Sequence, residues 1–192
     1  VDSGGQYKFG TTDVTRTISL KNSDNRIKKI FTSVLKGHIA VANFNLKKNT
    51  TGAQIDKEAR KFLKKIGLDY AHGTGHGVGY FLNVHEGPQS ISKNNKTNFC
   101  EGMVISNEPG YYEKNNFGIR IENLIYVKGN KKGMKFENLT MVPIEKDLIN
   151  KENLNIDEKK WLNNYHQAVF KNLRKYMNNI EAIDLKKACS AI

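Results

Sequence analysis

Four acidic residues stand where surface charge is poorly placed. Glu122 lies inside Ile119, Arg120, Ile121, Glu122, Asn123, Leu124 and Ile125, an apolar run that reads as a mostly buried strand. Glu108 closes a second apolar run, Met103, Val104 and Ile105, just ahead of Pro109 and Gly110. Asp2 and Asp13 fall on the two arms of an expected hairpin, where tight pairing brings both side chains to one face. If the four converge they repel one another, because like charges at short range in a low dielectric cannot all stay ionised unless cations sit between them. A metal site resolves that repulsion.

Histidine supplies a second signal. His72, His76 and His85 fall within fourteen residues, in AHGTGHGVGYFLNVHEGP, among glycines that permit close backbone approach. The spacing of His72 and His76 imitates a helical zinc pair, but the surrounding glycines oppose a helix and no HExxH is present. Four carboxylates and one imidazole instead suit two hard or borderline divalent ions such as manganese, with carboxylates and a hydroxide shared between them. Plainer readings stand beside this one. Asp2 and Asp13 also read as turn residues, and Glu122 as the partner of Arg120 in a buried ion pair. His38 and His166 read as ordinary helix residues.

The elements that must position these groups follow from periodicity. Residues 1–7 and 13–20 are rich in Thr, Val, Ile and Tyr and suggest a hairpin. Ile27, Ile30, Phe31, Val34, Leu35 and Ile39 recur at three and four, predicting a long amphipathic helix with Ser23 as its N-cap. Thr51 caps a second helix with Ile55, Ala59, Phe62 and Leu63 on one face and Gly67 beyond its end. Short strand-like runs follow at 80–85, 103–107, 117–127 and 134–142, and a last helix is expected over 157–177. Strands, helices and more strands without regular parallel crossovers indicate an α+β domain.

The chain of 192 residues is 38% hydrophobic and 26% charged, which suits a folded globular protein and excludes a disordered or fibrous one. Cys100 and Cys189 stand in unrelated contexts without CxxC spacing, so two reduced thiols in a cytoplasmic protein are expected and a zinc finger is not. No apolar run approaches the ~18 residues of a membrane span, and the opening VDSGGQYKFG has neither the basic nor the apolar segment of a signal peptide. The net charge of +12 raises nucleic acid as a partner. Against it, the lysines are scattered beside abundant Asn and Ile, the imprint of an AT-rich genome, and no RNA-binding motif, helix-turn-helix or basic stripe with aromatics is seen. A solvated basic surface is the preferred reading.

The segments DSGGQYKFGTTDVTRT, TGAQIDKEAR, HGTGHGVGYFLNVHEGP and NEPGYYEKNNFGIRIEN resemble, in order and spacing, the catalytic domain of the Xaa-Pro aminopeptidases (aminopeptidase P), a family of pita-bread-fold metallopeptidases. The resemblance covers residues 1–149 as the C-terminal part of that domain, with 150–192 as its helical C-terminal extension. It implies an α+β pita-bread (creatinase/aminopeptidase) fold, incomplete at the N-terminus. It also implies metal-dependent hydrolysis that releases the first residue of peptides with proline second, using two divalent ions, manganese foremost. The implied ligands are Asp2, Asp13, His76, Glu108 and Glu122, with Asp13 and Glu122 bridging and Glu108 also orienting the attacking water. His72 and His85 match the histidines that contact substrate and stabilise the tetrahedral intermediate, and Arg120 matches an arginine bracing the bridging carboxylates.

The resemblance also implies further helices, strands and a substrate-contacting histidine ahead of Asp2, so the chain is expected to be the C-terminal piece of a longer protein. The partners expected are Xaa-Pro peptides and that missing N-terminal half, with homo-oligomerisation left open. The alternatives are an inactive fragment or peptide-binding module of the same fold and, more remotely, a nucleic-acid-binding protein.

Overall fold

A computed structural model describes residues 1–20, 23–130 and 133–192. Short Thr- and Gly-rich segments form an antiparallel hairpin, β1 (Asp2–Tyr7) with β2 (Gly10–Thr15), in a register that sets Asp2 opposite Thr15 and Gly4 opposite Asp13. Asp2 and Gly4 are two apart, so Asp2 and Asp13 share a face as diagonal neighbours.

The expected amphipathic helix is α1 (Asn25–Ala42), which buries Ile30, Phe31, Val34, Leu35, Ile39 and Val41. Full burial of such side chains contributes about 2 kcal/mol each. Its cap is Asp24 rather than Ser23: Asp24 Oδ1 accepts the Ile27 N–H at 2.8 Å, satisfying a donor that the first turn leaves free. In α2 (Gly52–Lys64), Thr51 is the N-cap as expected and its N–H donates to Gln54 Oε1 at 2.9 Å. The two helices touch at Gly37, where an added Cβ would lie 2.5 Å from the Ala59 carbonyl oxygen.

Strand pairing beyond the helices is antiparallel throughout. The two-residue strands β3 (Gly75–His76) and β4 (Ser90–Ile91) pair, and a bridge from Gly77 to Ile105 joins them to β5 (Val104–Asn107). β6 (Gly110–Glu113) pairs with β7 (Phe117–Arg120), while β8 (Asn123–Asn130) lies between β5 and β9 (Gly133–Asn138). The run predicted as one strand over 117–127 is therefore two strands with different partners. Between them, Ile121 and Glu122 leave both ladders, and the Glu122 N–H donates to the Thr15 carbonyl at 3.1 Å.

Two other strand expectations are corrected. Residues 80–85 form no strand: the Gly79 N–H donates to Asn83 O at 2.8 Å, so the run folds back on itself and exposes Tyr80, Phe81 and Leu82. The run at 134–142 leaves regular pairing after Asn138. The helix expected over 157–177 is α3 (Ile156–Leu173), which ends before Met177, and a separate helix that periodicity did not mark, α4 (Asn179–Ala188), follows within the expected helical extension with Asn178 capping it.

Two buried clusters hold these parts together. In one, Leu162, Tyr165 and Val169 of α3 pack with Phe31, Val34 and Leu35 of α1, so the expected extension shares a core with the residues before it. The other joins Ile55 and Ala59 of α2 to Ile91, Ile105, Ile125 and Phe136. Among the described residues no helix is long and apolar enough to cross a membrane.

Candidate metal centre

All eight residues singled out in the sequence line one cleft of about 440 Å³: Asp2, Asp13, His72, His76, His85, Glu108, Arg120 and Glu122. Tyr112 lines it with them.

His76 enters on β3. Its backbone N–H donates to Ser106 Oγ at 2.9 Å, and its ring Nδ1 lies 2.9 Å from the Gly77 carbonyl. A carbonyl can only accept, so Nδ1 carries a proton, and in the neutral ring Nε2 presents a lone pair. That Nε2 lies 3.4 Å from Asp13 Oδ2 and 3.3 Å from Glu108 Oε1. Burial opposes the charged imidazole, but the Asp13 contact, the Gly77 carbonyl and the Glu108 charge outweigh it and raise the His76 pKa.

Glu108 stands just past β5, its Oε1 accepting from Ser106 Oγ at 2.8 Å and its N–H bound to Thr74 O at 2.8 Å. Glu122 is 2% exposed and accepts the Thr15 hydroxyl at 2.6 Å. Burial pushes its pKa up to about 7; the charges of Glu108 and Asp13 add to that, while Thr15 and Arg120 oppose it. Donor atoms of Asp13, His76 and Glu122 all lie within 4.8 Å of one another. Oxygen donors and an imidazole so close together, one carboxylate resisting ionisation through burial and then through its neighbours' charge, fit a divalent cation.

Asp2 does not join that trio. Its Oδ2 pairs with Arg120 Nη2 across the cleft, and its side chain is more than half exposed. Arg120 also donates from Nε to Thr15 Oγ1 at 2.9 Å and from Nη1 to the Tyr112 hydroxyl at 2.9 Å, whereas its distance to Glu122 is 3.9 Å. The Arg120–Glu122 pair is thus a long one, supplemented by a relay through Thr15.

His72 and His85 line the same cleft. His72 Nδ1 lies 2.7 Å from the Gly73 carbonyl, so its Nε2 accepts from the Tyr112 hydroxyl at 2.9 Å. The His85 ring stands edge-on to that of His76, centroids 4.1 Å apart. His38 and His166 lie outside the cleft and are fully buried.

Sequence reasoning missed Tyr112 and the framework behind His72. Arg60 Nε pairs with buried Asp56 at 2.8 Å, and its Nη atoms donate to the carbonyls of Tyr70 and His72. Asp56 Oδ1 accepts the Thr74 hydroxyl at 2.7 Å, so both sides of His72 are tied to α2. The signal was available: Asp56 and Arg60 are four apart on one helix face, inside the quoted TGAQIDKEAR.

Comparison with known proteins matches residues 1–129 to metallopeptidase family M24 and residues 132–192 to the C-terminal region of that peptidase family. The chain is 48% identical over 189 residues to a probable Xaa-Pro aminopeptidase P of Phaeosphaeria nodorum, which covers 93% of this chain and 29% of that protein. It is similar to the crystal structure of an X-prolyl aminopeptidase from Caenorhabditis elegans, described as a cytosolic enzyme with a di-nuclear active site. That match has a TM-score of 0.93 and 40% identity, covering all of this chain and 33% of the other. A prolidase from Pyrococcus furiosus matches at TM-score 0.62 and 33% identity, over 70% of this chain and 39% of that one. The chain therefore spans about a third or less of the length of the two aminopeptidases.

Proposed function

The chain belongs to metallopeptidase family M24, and on that footing we propose that it carries the dinuclear metal centre of a cytosolic Xaa-Pro aminopeptidase. The observation that bears most weight is the convergence of Asp2, Asp13, His76, Glu108 and Glu122 on one cleft with His72, His85 and Arg120. The names of the aminopeptidases it resembles supply the substrate, a peptide with proline in second position.

The five ligands Asp2, Asp13, His76, Glu108 and Glu122 would hold two divalent ions, manganese by preference for a set of oxygen donors with one imidazole. Such ions, when bound, lower the pKa of a water and polarise the scissile carbonyl. Glu108 lies at the cleft wall, where its carboxylate takes a proton from the attacking water and passes it to the departing proline nitrogen. The water oxygen joins the carbonyl carbon, the C–N bond breaks, and the nitrogen leaves with the transferred proton. A prolyl nitrogen carries no hydrogen in the peptide, so this delivered proton makes it a leaving amine. His85 and His72 face the developing oxyanion, and Tyr112 keeps His72 in register with Arg120. A purely peptide-binding module has no use for such a concentration of carboxylates.

The test is hydrolysis by the protein that contains this chain, purified with manganese and assayed on matched Xaa-Pro and Xaa-Ala peptides. Release of the first residue from the Xaa-Pro peptide, abolished by chelation and restored by manganese, supports the reading. Equal cleavage of both peptides sinks the specificity, and undiminished cleavage after complete metal removal sinks the centre.

A further inference from the structure

We propose that residues of the C-terminal region set the geometry of the metal centre through one buried cation, with Arg16 and Tyr165 acting as positioning residues. This rests on the reading of the cleft as a metal centre. Arg16 follows Thr15 at the end of β2 and is 6% exposed. Its guanidinium has two sets of partners. Toward the cleft, Nη1 donates to the carbonyls of Thr15 at 2.9 Å and Glu122 at 2.6 Å, and Nη2 donates to Asn123 Oδ1 at 2.6 Å. Away from it, Nε donates to Pro143 O at 3.0 Å, and Nη2 to Val142 O at 2.8 Å and the Tyr165 hydroxyl at 3.0 Å.

The two sets come from different parts of the chain. Thr15 and Glu122 lie within the stretch matched to the peptidase family, whereas Val142, Pro143 and Tyr165 lie within the stretch matched to its C-terminal region. All of these partners are carbonyls, an amide oxygen or a hydroxyl, so the cation is held by neutral dipoles rather than by a bound carboxylate. Such a cage has value only while every dipole stays aimed at the guanidinium, because a buried donor that loses its acceptor costs free energy. Tyr165 completes it: the hydroxyl also donates to Val142 O at 2.8 Å and accepts the Val142 N–H at 3.3 Å.

The cage reaches the carboxylate of Glu122 through Thr15. The two residues whose carbonyls Arg16 grips on the cleft side are the same two whose side chains meet, the Thr15 hydroxyl on Glu122 Oε2 at 2.6 Å. A shift of the guanidinium moves the backbone of both partners, and with it the carboxylate that must sit within 4.8 Å of the Asp13 and His76 donors. Groups behind metal ligands typically change metal affinity by 10- to 100-fold when altered.

The experiment uses the protein that contains this chain, titrated with Mn²⁺ while electron paramagnetic resonance counts the free ion. Tyr165→Phe removes the hydroxyl alone, and Leu162→Val loosens the buried packing of α3 without touching Arg16. We expect Tyr165→Phe to lower Tm, because it leaves buried donors on Arg16 and Val142 short of an acceptor, and also to weaken Mn²⁺ affinity about tenfold, whereas Leu162→Val lowers Tm while affinity holds. Unchanged affinity in Tyr165→Phe, or an equal loss in both variants, would overturn the proposal. A wild-type protein that binds no Mn²⁺ overturns the metal reading itself and the proposal with it. Hydrogen exchange on the wild-type protein gives a variant-free measure: coupling is reciprocal, so Mn²⁺ must slow exchange at the amides of Val142 and Ile144, which are bound to Tyr165 and His166 of α3. Exchange there indifferent to Mn²⁺ overturns the proposal even if Tyr165→Phe fails to fold.

Discussion

The Thr15 hydroxyl donates to Glu122 Oε2 at 2.6 Å, holding a carboxylate that is 2% exposed and raised to a pKa of about 7. In metal-free protein that pKa lies above the ordinary value of 4.5, so Glu122 binds its proton more tightly folded than unfolded. Its contribution to stability is full below 4.5 and is lost as pH rises through about 7. Urea unfolding with chelator present should show a decline on the order of 3 kcal/mol from this group between pH 4.5 and 8. Glu122→Gln should flatten the decline and abolish tight Mn²⁺ binding. The same slope in both proteins would show that Glu122 titrates normally.

His38 and His166 act with the opposite sign. Burial, then the nearby Arg16 charge, lowers the His38 pKa to about 3, and burial with Lys146 lowers that of His166 to about 4. Both contribute stability that is full above the ordinary 6.5 and is lost as pH falls toward those values. Their effect is best read in a Glu122→Gln background, where the opposing carboxyl is silent. There, His38→Asn, which keeps a donor for Ile121 O, should make stability fall less between pH 6.5 and 4. An unchanged acid limb would mean that His38 is not held neutral.

Tyr112→Phe should separate binding of metal from turnover. The hydroxyl links Arg120 Nη1 and His72 Nε2 and touches no ligand directly. Its loss frees His72 to turn away from the cleft, so kcat on an Xaa-Pro peptide should fall roughly 10- to 100-fold with metal content unchanged. A variant that lost metal in proportion to activity would put Tyr112 in the ligand framework instead.

The paired rings of His76 and His85 should part company under substitution. His76→Ala removes an Nε2 aimed at Asp13 and Glu108, and metal should go with it. His85→Ala should keep metal and lose turnover. Elemental analysis beside the peptide assay decides, and full metal with equal loss of activity in both variants would contradict the division of roles.

How much of this the sequence disclosed depends on the range of the forces involved. Periodicity found α1, α2 and α3 because burial of one helix face is written into residues three and four apart, as Ile30, Val34 and Leu35 show. It missed the break at Glu122, since an apolar run does not say where a strand changes partner, and it read 80–85 as a strand although no neighbour pairs there. Tyr112 apart, the residues that line the cleft were legible as motifs, but the links between them were not. Arg120 with Asp2, Arg16 with Tyr165 and Arg60 with the His72 carbonyl join residues whose proximity exists only after folding, apart from the helical Asp56–Arg60 spacing.

Gly75 precedes His76 on β3, and a Cβ placed on it would lie 1.9 Å from the Ser106 carbonyl oxygen. The collision is with backbone, so no rotamer relieves it, and even a methyl group must drive β3 away from β5 and carry the His76 ring off its aim. A mutational scan scored on activity would consequently rank this position with the ligands, although it has no functional group to lose. Its intolerance measures how close two main chains must come before an imidazole and a carboxylate from separate strands can address one point in space.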